Sequence, residues 1–537
     1  MIIPRDGLPG LAARVRPSGA GFHPSIWAAR ALIAAGLPMS ALASAPAPVR
    51  AAAQEAPRQV LFTGGLVVDG TGSPRRHADV LIGGGRISEI GPPGSIEAPP
   101  GTEIRDVSGL VVAPGFIDIH NHSTDRMWDR PLATTQIAQG ITTLIVGADG
   151  SSPFPIDEYL VRIDTLAPTV NVGTYVGHGT VRWGAMQEDY SRPATALEIA
   201  HMARLVERGM MHGAFGFSSG LEYSMGLHST TEELIALAKV AAEHGGHYAT
   251  HMRDEEENLL EAVDEALAIG EAAGIAVHIS HVKAGNASVW GAAPEVLRRM
   301  EAARERGLDV TADQYPYAAW QSGLSIIARS RAIDNPDSVA AGIEAAGGPG
   351  RLQIVAFNQE PSLNGLRLDE IARRKEMTPV ETVLWTNESG GAGVIGHTMS
   401  DEDVETFMQS PLVMTASDGG VGTAHPRGAG AFARVLGLYA REKGLLTLER
   451  AVQRGTSQPA RRLGLTDRGT LREGAIADMA IFDWAGIIDR STFDSGLRPA
   501  EGMVSVWVSG VEVWSGGEPT GARPGRALRR PGTDQSG

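Results

Sequence analysis

Short apolar runs alternate with stretches of helical spacing from about residue 114 to residue 465. This alternation is typical of a parallel α/β fold, in which each strand leads to a helix that covers the sheet. Eight such runs can be counted, and eight strands that alternate with helices predict a (β/α)8 barrel. The predicted strands end near His122, Gly147, Gly177, Ser218, His251, His281, Asp313 and Asp418.

Local signals mark the ends of several helices between these strands. Ser229-Thr-Thr-Glu232 has the sequence of a capping box, and Gly245 ends the helix that follows it. Pro294 begins a later helix, which ends at Gly307. Each of these helices leads into another apolar run, as a barrel requires.

Short β-prone runs interrupted by Gly and Pro lie on both sides of this region, in residues 58–113 and 466–520. Such runs are typical of antiparallel strands joined by turns. We expect the two groups to pair into one small β domain. Residues 521–537, rich in Gly, Pro and Arg, are expected to form a flexible tail or to wrap the surface.

The predicted seventh and eighth strands are separated by roughly a hundred residues, far more than one helix and its loops need. We therefore predict an insertion at about 317–410 that lies over the mouth of the barrel as a lid.

Composition excludes several classes of function. The net charge of −15 argues against nucleic acid as a partner. The chain has no Cys, which excludes a disulfide, a thiolate metal ligand and a Cys nucleophile. Oligomeric state cannot be derived from these patterns.

Residues 1–57 differ from the rest of the chain. Arg14, Arg16 and Arg30 precede a small-residue apolar run, Ala31–Ala45, which is followed by cleavage-like Ala-rich positions. This pattern predicts an export signal and a periplasmic or secreted protein; the alternative is a disordered leader on a cytoplasmic protein. No other segment is apolar enough to span a membrane, so no membrane partner is expected.

Histidines stand at the ends of the apolar runs. His120 and His122 follow one run and lie on the same side of an extended chain, because side chains alternate along a strand. His251 and His281 end two other runs, and the C-terminal ends of barrel strands meet at one face. The pattern predicts a metal centre. His278, three residues before His281, is expected to face away and to be structural.

Asp418 follows the last predicted strand. A carboxylate there can bind a metal and can also accept a proton from the attacking water and pass it to the leaving nitrogen. We predict that Asp418 is both a metal ligand and the catalytic acid–base group.

Several phrases give the chain a strong family resemblance. They include PGFIDIHNHS, QGITTLIVG, GFSSGLEY, THMRDE, ISHVK and SDGG with HPR, and they extend from about residue 60 to residue 530. In these the chain resembles the amidohydrolase superfamily and, within it, the N-acyl-D-amino-acid deacylases, or D-aminoacylases. The resemblance implies a barrel with a small β-sandwich, zinc, and hydrolysis of an N-acyl-D-amino acid to a carboxylate and a D-amino acid.

The resemblance also implies roles for individual residues. The metal and catalytic positions match His120, His122, His251, His281 and Asp418. Because the fourth predicted strand has no Lys to bridge two metals, one tight zinc site is expected, with a second, weaker site left open. The substrate is a small molecule with a free carboxylate, for which the matching residues are Lys283, Tyr315 and Arg427. His178 is a candidate hydrogen-bond donor to the acyl carbonyl.

The chain departs from the family pattern at one position. Where relatives have Gly-Asn-Cys-Gly with a zinc-binding Cys, this sequence reads Gly147-Ala-Asp149-Gly. Asp149 is expected to replace the Cys as an oxygen ligand. Alternatively, Asp149 only shapes a turn and Glu222 is the carboxylate near the metal.

The fourth predicted strand, GAFGFSSG, has no Lys. Hydantoinase-type and dihydroorotase-type relatives carry a metal-bridging carboxylated Lys there, which argues against cyclic amides as substrates. The favoured function is zinc-dependent hydrolysis of linear N-acyl-D-amino acids. The alternatives are a dipeptidase or carboxypeptidase-like amidohydrolase with the same site, and a metal-bearing barrel that only binds a ligand.

Overall fold

The structure is a computed structural model that describes residues 59–533. The predicted export signal falls outside these residues. Within them, the strands are β1 Val60–Val67, β2 Arg76–Gly83, β3 Arg86–Gly91, β4 Glu103–Asp106, β5 Val111–Pro114, β6 Phe116–Asp118, β7 Ile141–Val146, β8 Asn171–Thr174, β9 Val176–Gly177, β10 Gly216–Gly220, β11 His247–His251, β12 Val277–Ile279, β13 Val310–Gln314, β14 Trp320–Gly323, β15 Leu352–Val355, β16 Gly393–Gly396, β17 Val413–Thr415, β18 Met479–Phe482, β19 Met503–Val508, β20 Val511–Ser515 and β21 Glu518–Pro519.

The α-helices of the same part of the chain are α1 Arg126–Asp129, α2 Thr134–Ile137, α3 Ile156–Leu166, α4 His178–Met186, α5 Ala196–Met211, α6 Ser224–Leu227, α7 Thr231–Glu243, α8 Leu259–Ala273, α9 Ala293–Glu305, α10 Pro336–Ala345, α11 Leu368–Lys375, α12 Pro379–Glu388, α13 Asp401–Gln409, α14 Arg427–Arg434, α15 Leu448–Arg454 and α16 Ser457–Arg462. A π-helical stretch, Val435–Glu442, continues α14. In residues 59–533 no helix is long and apolar enough to cross a membrane.

Eight parallel strands form the predicted (β/α)8 barrel. Only Tyr175 separates β8 from β9, so these two segments together make one barrel strand. The order around the barrel is β6, β7, β8/β9, β10, β11, β12, β13 and β17. Asn121 bridges Gly419 in parallel, and the Asp418 amide donates to the His120 carbonyl at 3.0 Å. The barrel therefore closes at the histidine pair that follows β6.

The barrel interior is apolar below its mouth. Ile117, Ile145 and Met414 of three strands pack there with Phe215, which directly precedes β10, and each is no more than 3% exposed. A larger cluster joins the outer face of the strands to the helices, including Leu259, Val263 and Leu267 of α8. This packing fixes the strand ends, on which the polar side chains of the mouth stand.

The chain ends outside the barrel form one hydrogen-bonded sheet of nine strands, β1 to β5 and β18 to β21. Antiparallel pairing of β5 with β18, from Val111–Phe482 to Pro114–Met479, joins the two ends of the chain. The sheet encloses its own apolar cluster, in which the Phe62 and Trp507 rings meet edge to face at 5.3 Å.

The expected flexible tail is held against the barrel through residue 530. Val172 of β8 accepts a backbone hydrogen bond from Leu528 at 2.8 Å and donates one to Arg526 at 3.0 Å. Asp164 of α3 binds the Ala527 amide at 2.8 Å and the guanidinium of Arg529. These partners are remote in sequence, so composition alone could not reveal them.

Residues 320–396 form a separate unit over the barrel, which we call the insertion. It contains the antiparallel sheet β14-β16-β15 and helices α10 to α12 around a core that includes Ile354, Leu368 and Val383. The insertion ends earlier than the predicted position, because α13 belongs to the barrel: Phe407 and Met408 lie in the barrel cluster.

Candidate metal centre

The histidine pair lies just beyond β6. The Nε2 atoms of His120 and His122 are 3.3 Å apart, which places both imidazoles on the same side as the alternation argument requires. The His122 amide donates to the Gly419 carbonyl at 2.7 Å and keeps this segment extended against the last barrel strand. The His120 side chain is buried, whereas that of His122 is 40% exposed and faces the mouth.

Two carboxylates meet this pair. Asp149 Oδ2 lies 3.3 Å from His120 Nε2, and Asp418 Oδ1 lies 3.0 Å from His122 Nε2. One ligand atom from each of these four residues falls within 4.8 Å of the others. The four therefore form a first donor group suited to a divalent metal.

A second donor group adjoins the first and shares Asp149. His281 Nε2 lies 3.4 Å from Asp149 Oδ2, and His251 Nδ1 lies 2.8 Å from His281 Nε2. Asp149 is thus the carboxylate common to both groups. A carboxylate has two oxygens, so this position is suited to bridging two cations.

The donor groups fit zinc chemically. Imidazole nitrogens and carboxylate oxygens are ordinary zinc ligands. Asp149 Oδ1 is buried in the cluster without a hydrogen-bond partner, although buried polar atoms are nearly always paired. A cation between the two groups would satisfy this oxygen.

Three residues of the centre have a left-handed backbone: φ is +53° at Asp149, +33° at His281 and +45° at Asp418. This region is uncommon for residues other than glycine, and strain of this kind concentrates at functional sites. We expected His278 to face away from His281 because side chains alternate along a strand. The left-handed turn at His281 ends this alternation.

His278 lies in the barrel interior, beneath the donor groups. Its Nε2 is 2.8 Å from Asp313 Oδ2, and the same oxygen is 3.4 Å from His120 Nδ1. The other oxygen of Asp313 accepts a hydrogen bond from the His281 amide at 2.9 Å. Asp313 therefore orients His120 and His281, a function that the sequence analysis missed although it marked this strand end.

Both carboxylates of the centre are held ionised. Burial opposes ionisation of Asp418, but Arg427, with Nη1 at 2.5 Å, together with His281 and His120, keeps its pKa below the ordinary value. The pKa of Asp149 is likewise depressed: burial opposes ionisation, and His120 and His281 outweigh it. Ionised carboxylates are what metal binding and proton acceptance require.

Glu222 and Glu255 flank the second donor group. Glu222 Oε2 lies 2.8 Å from His251 Nε2, so Glu222 contacts a candidate metal ligand. Asp149, in contrast, belongs to both donor groups. Glu255 pairs with Lys283, and its Oε1 is 3.1 Å from His281 Nδ1. Glu255 was not among the site residues predicted from the sequence, because this contact joins segments that are distant along the chain.

Three of the four predicted substrate-binding residues line the centre. Lys283 Nζ is 2.8 Å from His281 Nδ1, and the Arg427 guanidinium lies 4.7 Å from the centre of the buried Tyr315 ring. The cationic side chains of Lys283 and Arg427 and the phenol of Tyr315 therefore lie around Asp418 and the second donor group.

His178 is elsewhere. It is fully buried, its Nε2 lies 2.8 Å from Glu233 Oε1 of α7, and Arg182 binds the same carboxylate at 2.5 Å. We expected His178 to donate a hydrogen bond to the acyl carbonyl, but its contacts place it away from the metal centre. Burial lowers its pKa more than Glu233 raises it.

Comparison with known proteins shows the family to which the chain belongs. A model described as "Amidohydrolase family" matches residues 103–514. The D-aminoacylase of Alcaligenes xylosoxydans xylosoxydans is 37% identical over 499 residues, which are 88% of this chain and 98% of that protein.

Two solved structures have nearly the same fold. The N-acyl-D-glutamate deacylase of Bordetella bronchiseptica, solved with zinc and a phosphonate that mimics the tetrahedral intermediate, has a TM-score of 0.80 at 35% identity and covers 88% of this chain and 100% of that one. A D-aminoacylase studied for its binuclear metal centre, with one-metal activation and second-metal attenuation, has a TM-score of 0.79 at 35% identity, over 88% and 99% of the two chains. With its family match and its similarity over nearly all of these relatives, the chain belongs to the amidohydrolase family, among the N-acyl-D-amino-acid deacylases.

Proposed function

We propose that the protein is a zinc-dependent hydrolase that cleaves N-acyl-D-amino acids to a carboxylate and a free D-amino acid. The observation that carries this proposal is the pair of donor groups that share Asp149, one of which includes the ionised Asp418. Relatives with this activity are 33–37% identical over 88–89% of the chain.

The proposed metal ligands divide into two sets. His120, His122 and Asp418 belong to one, His251 and His281 belong to the other, and Asp149 belongs to both. When bound, zinc would supply an electrophile for the acyl carbonyl and make water nucleophilic at neutral pH. We infer one tight zinc site and a second, weaker one.

Asp418 is the proposed acid–base group. Its carboxylate is ionised, buried and 3.0 Å from His122, so Oδ1 can accept the proton of the attacking water. The same oxygen then holds that proton until the amide nitrogen leaves as an amine. Burial keeps bulk water from exchanging the proton before this transfer.

Lys283, Arg427 and Tyr315 are proposed to bind the carboxylate of the substrate. Ammonium and guanidinium groups form strong charge-assisted hydrogen bonds to carboxylates. Both cations are paired within the structure, Lys283 with Glu255 and Arg427 with Asp418, so the substrate carboxylate would share or replace these partners. An anionic substrate is therefore compatible with a chain whose net charge is −15.

A substrate panel combined with metal analysis tests the proposal. N-acetyl-D-amino acids, N-acetyl-L-amino acids and dipeptides are assayed with zinc-loaded and chelator-treated protein. We expect hydrolysis of the D compounds that chelation abolishes and zinc restores. Cleavage of dipeptides without the N-acyl-D compounds would favour the dipeptidase alternative, and bound zinc without any turnover would favour a ligand-binding barrel.

We also infer export to the periplasm or outside the cell. The basic residues and small-residue apolar run within residues 1–45 support this inference. N-terminal sequencing of protein made in a bacterial host is expected to find the leader removed near residues 45–53; an intact leader on active cytoplasmic protein would contradict export.

A further inference from the structure

Arg331 of the insertion contacts Glu222, which lies beside the metal centre. Arg331 Nη2 pairs with Glu222 Oε1, and Arg331 Nε donates to the Glu222 carbonyl at 3.0 Å. The other oxygen of Glu222 lies 2.8 Å from His251 Nε2. A continuous chain of polar contacts thus links the insertion to a proposed metal ligand.

Arg331 is firmly fixed within the insertion. Its Nη1 donates to the Ile326 carbonyl at 2.7 Å and to the Ala328 carbonyl at 3.1 Å. Its backbone has a φ of +60°, an uncommon conformation for arginine, and its side chain is only 14% exposed. An arginine held in this way positions its partner, since the guanidinium fork presents donors in a fixed plane.

The contact with Glu222 favours the tautomer of His251 that keeps a lone pair on Nδ1, the atom that also lies 3.2 Å from the Tyr223 hydroxyl. When Nε2 carries the hydrogen that it donates to Glu222, Nδ1 keeps its lone pair. Nδ1 is the atom that faces His281 Nε2 at 2.8 Å in the second donor group. Carboxylate partners of this kind fix the orientation of metal-binding histidines and increase their basicity.

We propose that Arg331 and Glu222 are positioning residues that couple docking of the insertion to metal affinity at the group formed by Asp149, His251 and His281. The inference rests on the proposed function in that it needs a metal at this group. Because such coupling is reciprocal, metal binding there also stabilises the docked insertion.

The structure offers a second candidate function for Glu222. Glu222, His251 and Glu255 have ligand atoms close enough to hold a cation by themselves. Both Glu222 oxygens are already paired, however, one with Arg331 and one with His251. Positioning therefore uses the contacts as they stand, whereas direct ligation would require them to break.

The test compares zinc binding to the full-length wild-type protein, Arg331→Gln and Glu222→Gln by competition with a chromophoric chelator. His251→Asn identifies which binding step belongs to the second donor group. We expect both Gln variants to bind zinc about 10- to 100-fold more weakly at that step, with unchanged stoichiometry. Circular dichroism checks that each variant is folded.

Arg329→Gln is the matched control. Arg329 lies two residues away and pairs with Glu256 and Glu257, so it also anchors this loop but does not contact a proposed ligand. We expect its zinc affinity to equal that of the wild type. In addition, zinc is expected to slow proteolysis of residues 320–396 in the wild type and in Arg329→Gln, but not in Arg331→Gln.

The outcomes are separable. Wild-type affinity in Arg331→Gln, or the same loss in Arg329→Gln, would overturn the coupling. Loss of a whole zinc equivalent in Glu222→Gln would show that Glu222 is a direct ligand, and this result would also overturn the coupling. A wild-type protein that binds no zinc would instead refute the proposed function.

Discussion

Asp418 makes the most direct single-residue prediction. Its carboxylate is the proposed proton acceptor, and Asn keeps its shape but cannot take a proton. We expect Asp418→Asn to lower kcat by roughly 10²- to 10⁴-fold, the usual range for loss of an acid–base group. Steady-state kinetics with metal analysis of the same sample checks this, and near-normal turnover would refute the role of Asp418.

Asp149 is the carboxylate shared by the two donor groups. If it bridges the donor groups, Asp149→Ala should lose bound metal. Asp149→Asn is the matched control, because Asn tolerates the left-handed backbone at φ +53° but lacks the charge. Elemental analysis after dialysis is expected to show reduced metal in both variants; full metal content in Asp149→Asn would leave Asp149 with only a turn-forming function.

Thr230 shows how a helix start can be predicted one residue away from its true position. The sequence suggested a cap at Ser229 with Glu232, but the Thr230 side chain accepts from the Glu233 amide at 3.2 Å, and α7 begins at Thr231. The Ser229 hydroxyl instead donates to the Gly226 carbonyl at 2.6 Å. Both residues suit a cap chemically, so only the path of the preceding loop decides between them.

The cap of α7 gives a stability prediction. Thr230→Ala removes the acceptor for the Glu233 amide and should cost about 1 kcal/mol of unfolding free energy. Thr230→Ser keeps the hydroxyl and should cost clearly less. Urea unfolding of both variants measures the difference, and equal stabilities would show that the hydroxyl does not cap the helix.

His397 directly follows the insertion, and its Nε2 lies 3.0 Å from Oε1 of Gln353 in the insertion. We therefore expect the stability of the insertion to depend on pH. Burial, assisted by Arg367 and Arg351, lowers the pKa of His397 to about 4, while in an unfolded chain it is near 6.5. Between pH 4 and pH 6.5, His397 binds more protons in the unfolded state than in the folded state. The stability of the insertion should therefore fall as the pH drops from about 6.5 towards 4. Proteolysis of residues 320–396 across this range measures the fall. His397→Gln should reduce it, and an unchanged pH profile would contradict the assignment.

At the scale of the whole molecule, Asp478 joins the β domain to the barrel. Its Oδ2 accepts from Arg468 at 2.8 Å and from Asn171 of β8 at 3.2 Å, and its Oδ1 accepts from the Ser509 amide at 2.7 Å. Asp478 and Arg468 are both almost fully buried. Within residues 59–533, removing Asp478 leaves the buried Arg468 guanidinium with only the partly exposed Asp467 as an ion-pair partner, and it takes an acceptor from Asn171 and from the Ser509 amide.

Asp478→Ala is therefore expected to destabilise the protein by about 3–5 kcal/mol. Asp467→Ala is the control: Asp467 also pairs with Arg468, at 3.2 Å, but its side chain is 41% exposed and its removal should cost within about 0.5 kcal/mol. Chemical denaturation of the two variants tests the difference. Similar small losses in both would show that the buried pair does not stabilise the contact between the domains.

The sequence by itself determined the barrel and the positions of its strand ends. Apolar runs, helix signals and the alternation of side chains are local properties, and they placed His120, His122, His251, His281 and Asp418 at the mouth, where the structure brings them together. The β domain from both chain ends was predictable for the same reason.

Only the tertiary structure decided how these side chains are connected. It placed Asp149 between two donor groups, set Asp313 beneath His120, and put His178 with Glu233 instead of at the site. Glu222 and Arg331 are 109 residues apart, and their contact exists because the insertion folds back over the barrel. Pairing between distant residues depends on packing and backbone turns, which residue patterns within one segment do not specify.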